Sequence, residues 1–144
     1  MRLALLYGEI KTLEIVVLAI FAALTTAYCV RADFIAAHAI PLSFLALSFF
    51  ALTTVVLRRP WTAEFSRAAY PDAAGSPIFI SVNMILSALW GALFVLLALA
   101  YSWKLGSIVT TGIVVVGAIA TVFGPKFMVR VLALREVRRG TRKA

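Results

Sequence analysis

From Phe34 to Leu57, and again from Ile78 to Trp103, the chain carries no charged side chain. The stretch from Leu105 to Phe123 is equally bare, and between Leu13 and Val30 only Glu14 interrupts. About 20 apolar residues in an α-helix cross the hydrocarbon core of a bilayer. A helix in a water-soluble fold keeps a polar face at 3.6-residue spacing. Val16 to Leu24 and Leu93 to Ala100 show no such face. The sequence therefore predicts an all-α, integral membrane four-transmembrane-helix bundle, with helices over about 13–30, 34–57, 78–103 and 105–123. Composition agrees: 63% of the 144 residues are hydrophobic and 14% charged, against about half and a quarter in soluble domains. The length suits a single membrane domain, 1–144.

The connections set the topology. Arg31-Ala32-Asp33 is too short for anything but an antiparallel hairpin, with Asp33 expected to cap the second helix. Lys104-Leu105-Gly106 is another tight turn. Residues 58–77 form the long internal link, and a basic tail, 126–144, follows Gly124-Pro125. Positive charge faces the cytoplasm in short loops. With the N-terminus inside, every Lys and Arg except Arg31 and Lys104 falls on the inner side. The expected localisation is the bacterial cytoplasmic (inner) membrane, multi-pass, with both termini cytoplasmic. Leu3 to Tyr7 is too short for the apolar core of a signal peptide, so the first span is expected to be retained. The net charge of +8 lies at the ends of apolar runs. Membrane lipids, not nucleic acid, are thus the expected partners.

Within the long link, Arg58 and Arg59 leave the second helix beside Pro60 and Trp61. Thr62 to Tyr70 reads as a short interfacial helix capped by Thr62, with Trp61 and Phe65 on one face. Phe127, Val131 and Leu134 recur on one face of the tail, which is expected to continue the fourth helix past a bend at Pro125 and then fray.

Polar groups inside the apolar runs are few, and each has a plain reading beside a functional one. Glu14 is the acid nearest the membrane interior, where a carboxylate suggests proton coupling. It lies at the very start of its helix, however, where it offsets the helix dipole and meets Lys11. His38 lies near Asp33 and Cys29, but a lone histidine usually bonds a neighbour, and one Cys with one His make a thin ligand set. No metal site or cofactor is expected. Asn83 is the one amide in the spans and needs a hydrogen-bond partner. With Ser81, Ser87, Trp90 and Gly91 it marks the most polar stripe. Glu14, His38, Asn83 and Trp90 are the candidates for an intramembrane polar site.

Small residues recur at helical spacing. Gly112, Gly117, Thr121 and Gly124 on the fourth span, with Ser87 and Gly91 on the third, let helix backbones approach closely in lipid. Packing within one chain is the plain reading, and a homo-oligomer interface the other.

Arg59-Pro60-Trp61-Thr62, Phe65, Arg67, Pro77-x-Phe79, Asn83 and Trp90-Gly91 resemble a pattern in a family of uncharacterised four-helix bacterial inner-membrane proteins with an Arg-Pro-aromatic-Thr loop. There is a more distant similarity to the intracellular septation protein A group. The resemblance implies the topology and no activity. It points to Arg59, Pro60, Trp61, Thr62, Phe65 and Arg67 as a docking surface, where interfacial anchoring is the plain alternative.

The sequence holds no phosphate-binding loop, nucleophile elbow, zinc-protease motif or pair of intramembrane carboxylates. The expected function is non-enzymatic: a structural or accessory protein that self-associates or docks to other membrane subunits. A small oligomeric transporter or channel and a lipid-acting membrane enzyme are the alternatives.

Overall fold

The structure, a computed structural model, describes residues 11–141; of the side chains beyond Val129, only that of Val131 is described. The elements are α1 (Thr12–Val30), α2 (Ala32–Val56), α3 (Thr62–Ala69), a 3₁₀ turn (Pro71–Ala73), α4 (Pro77–Ser102) and α5 (Ser107–Thr141). Four of them are long and apolar enough to cross a bilayer: α1, α2, α4 and the Ser107–Val129 part of α5. At 1.5 Å per residue, the 35 residues of α5 extend about 52 Å, well beyond a hydrocarbon core of about 30 Å. The helix continues through Pro125 to Thr141. Leu134 and the basic side chains of the tail beyond Lys126 lie outside the described set, as do residues 1–10 and 142–144 with their charges.

Helix ends explain the connections. Arg31 alone separates α1 from α2. It is also the residue that precedes α2, so Asp33 sits in the first turn and is not the cap. There its charge still favours the helix N-terminus. The start of α4 follows the usual rules: Ser76 Oγ accepts from Phe79 N at 3.1 Å, and Pro77 occupies the first helical position.

The C-termini of α2 and α4 depart from those rules in the same way. Arg58 (φ 54°) and Lys104 (φ 53°) adopt left-handed backbone. Arg58 N bonds Val55 O and Arg59 N bonds Thr54 O; Lys104 N bonds Tyr101 O and Leu105 N bonds Ala100 O. Both are paired-bond helix stops that normally carry glycine. A cation there costs backbone strain but meets the negative end of the helix dipole.

In space the spans pack in the order α1, α2, α4, α5. The α2–α4 interface is the most extensive, and α3 rests on α4. Among the described residues α1 and α5 share no comparable interface. The buried apolar side chains come mostly from α4, including Val82, Leu86, Leu93 and Leu97, with Ile35 and Ala51 contributed by α2.

Candidate functional site

The internal link begins at the end of α2. Thr54 Oγ1 donates to Ala51 O at 2.7 Å and accepts from Trp61 N at 3.4 Å, tying the link back to the helix it leaves. Pro60 is buried and its carbonyl receives Ala63 N at 3.0 Å, starting α3. Trp61 precedes α3 and gives no side-chain cap. Thr62, expected as that cap, is turned to another use. Its Oγ1 donates to Asn83 O at 2.9 Å and lies 3.0 Å from Ser87 Oγ. A hydroxyl has one proton. Since Thr62 gives its own to the carbonyl, Ser87 is the donor in the second bond.

Ser66, one turn on, has two acceptors within reach: Thr62 O at 3.1 Å and Asn83 Oδ1 at 2.9 Å. Asn83 Nδ2 donates to Phe79 O at 2.9 Å. Asn83, Ser87 and Thr62 are all buried, at 2%, 0% and 8% exposure, so this is an interior network and not a surface one. One turn further along α4, Ser48 of α2 makes a separate buried bond, donating to Gly91 O at 2.9 Å. Gly91 is what allows that approach, since a Cβ there would lie 2.7 Å from Leu52 Cδ2.

The other side of α3 reaches α1. The Glu64 carboxylate accepts from Thr12 N at 2.9 Å and from Thr12 Oγ1. It thereby satisfies one of the N–H groups that a helix start leaves without partners. Glu14 completes the same turn by accepting from Lys11 N at 3.3 Å. Lys11 Nζ stands 3.9 Å from the centre of the Phe65 ring, which meets Trp61 edge-on with centroids 5.8 Å apart. Trp61 Nε1 is buried and has no hydrogen-bond partner among the described residues. Arg58, Arg59 and Arg67 are exposed.

The four candidates for an intramembrane polar site do not converge. Glu14 is at the start of α1. His38 is on α2 near the opposite end of that hairpin, exposed, stacked on Phe34 at 4.5 Å and bonded through Nδ1 to Phe34 O. Asn83 belongs to the network under α3. Trp90 Nε1 donates to Thr121 Oγ1 at 2.9 Å and joins α4 to α5.

The small residues divide as well. A Cβ at Gly117 would lie 2.7 Å from Leu93 Cδ1 and 3.1 Å from Trp90, so this glycine seats α5 on α4. Gly124 lies close to Leu86 and Met128, whereas Gly112 faces open space. Gly91, Ser87, Gly117, Thr121 and Gly124 thus serve contacts inside one chain, and Gly112 does not.

Four participants escaped sequence reasoning: Ser48, Thr54, Glu64 and Ser66. Hydroxyls in a helix are commonly spent on their own backbone, as at Thr26, Ser43 and Ser102. Nothing local separates Ser48 from these. Glu64 acts on a residue 52 positions away.

Chemically, the network is built from neutral hydroxyls and an amide that already bond one another. Such an arrangement holds backbone segments in place. Four helices able to span a bilayer define the class, a multi-pass membrane protein. No protein-family model matches the chain, and no curated protein or solved structure shows detectable similarity to it.

Proposed function

We propose that this chain is a structural or accessory membrane protein that docks to another membrane subunit through the 58–77 link, at the cytoplasmic face of a bacterial inner membrane. The observation that carries the reading is the double fixation of α3. Thr62 and Ser66 hold it to α4, and Glu64 holds it to α1, while Arg59 and Arg67 remain exposed. A link needed only to span a gap has no use for this. A preordered surface binds with less ordering cost. On this reading α3 lies at the inner headgroup level, where Trp61 and Phe65 sit naturally, and the ends of the helix row, α1 and α5, meet companion helices that complete a bundle.

The test is affinity purification from the native membrane in a mild detergent. A companion subunit retained by the wild type and lost from Arg67→Glu, with unchanged thermal stability, supports docking. A companion held equally by the variant, or none at all with the wild type, removes the reading.

A further inference from the structure

A cleft of about 470 Å³ opens between α1 and α2. Phe21, Leu24 and Tyr28 line one wall, and Ile40, Ser43 and Phe44 line the other. The Ser43 hydroxyl is spent on Ala39 O at 2.8 Å, so that wall is apolar in effect. We propose that this cleft holds one acyl chain of a phospholipid, with the lipid phosphate beside Arg31.

Size, shape and polarity order favour this occupant. The volume falls in the roughly 300–1,000 Å³ range of small-molecule sites. From Phe21 to Arg31 the helix advances about 15 Å, which is half of a ~30 Å hydrocarbon core, or one leaflet. Polarity rises in the same direction. Phe21 and Phe44 are deepest, the Tyr28 phenol lies closer to the hairpin tip, and exposed Arg31 is the tip itself. A phospholipid presents the same sequence: chain, ester, phosphate. Arginine suits the last, and Tyr suits the boundary. Asp33 also sits near the tip, but in the first turn of α2, where it offsets the helix dipole.

A transmembrane helix is the poorer fit. Close helix approach in lipid relies on small residues; here Thr25, Ala39 and Ser43 line the cleft between the larger Phe21, Tyr28 and Phe44, which stand in the way of a second backbone. Nor is an unfilled cleft a stable alternative, because its lining forfeits dispersion contacts. The site does not depend on the docking role of the 58–77 link.

The test is native mass spectrometry of the full chain released from nanodiscs of phosphatidylglycerol and phosphatidylcholine. The wild type is expected to keep one lipid under activation that strips the rest. Ala39→Trp, which fills the cleft, removes that lipid. Arg31→Glu lowers the retained fraction about tenfold, the loss of one charge-assisted contact. Lys126→Glu, exposed on α5 away from the α1–α2 hairpin, leaves retention unchanged. Should Ala39→Trp fail to fold, Ser43→Leu blocks the same wall. A wild type that keeps no lipid, equal retention in the cleft variants, or a peptide mass in place of the lipid overturns the proposal.

Discussion

α1 and α4 are equal in mean hydropathy, yet none of the most apolar window of α1 is buried within the chain, against 44% for α4. Both are long enough to span the bilayer. The difference lies in what they carry besides apolar bulk. α4 has Asn83, Ser87 and Gly91 on the faces toward α2 and α3, and each one makes or permits a specific bond. α1 has hydroxyls too, but within its span Thr26 returns its proton to its own backbone, and among the described residues only Thr12, at its very start, bonds another element. In lipid, hydropathy decides which segments enter the membrane. Close approach and hydrogen bonds decide which become neighbours, because lipid tails are as apolar as leucine.

The comparison breaks most readily at Gly91. Gly91→Leu forces the side chain into Leu52 and separates α2 from α4, an expected loss of about 1–3 kcal/mol or more. Thermal unfolding in detergent would read it. Gly112→Leu, in open space, should stay within about 0.5 kcal/mol of the wild type. If the two variants melt alike, close approach is not what distinguishes α4.

Next in size is Asn83→Leu, which takes the acceptor from Ser66 and the donor from Phe79 O at an expected cost of about 1–3 kcal/mol. Limited trypsin digestion should then cut faster at Arg67. An unchanged cleavage rate would mean that the network does not hold α3 in place.

Glu64→Gln acts on the other half of the contrast. The amide oxygen can still accept one bond, but the charge at the start of α1 is lost, worth about 0.3–1 kcal/mol. Hydrogen exchange should quicken over the first turn of α1 and stay constant in α4. Acceleration in both helices would show that they unfold as one unit.

The smallest effect is expected at the paired helix stops. Arg58→Gly and Lys104→Gly relieve about 1 kcal/mol of left-handed strain and forfeit about 0.3–1 kcal/mol of dipole interaction. Denaturation midpoints should move slightly upward or not at all. A clear loss would show that these cations do more than end a helix.

Much of the fold was legible because the bilayer leaves a coarse imprint. The four spans follow from charge-free length, and the observed helix ends lie within a few residues of the hydropathy limits, except that α5 runs on past Phe123 to Thr141. The short helix after Trp61 was legible from its local spacing. Thr62 was misassigned because a threonine before a helical run looks the same whether its hydroxyl caps the next turn or crosses to another helix. Asn83 was recognisable as needing a partner, but Ser66 as that partner was not, since the pairing depends on how the link folds back. The row-like packing was illegible for the reason that separates α1 from α4: apolar surfaces in lipid carry no instruction about which other surface to meet.

The contact between Glu64 and Thr12 also gives assembly an order. The residue that completes the first turn of α1 is made 52 positions after the residue it serves. At roughly 5–20 residues per second of synthesis, that is an interval of about 3–10 s. During it α1 is already able to enter the membrane while its beginning still lacks that acceptor. α1 is therefore finished only after α2 has been made, and its completion reports that the second span and the link beyond it are in place.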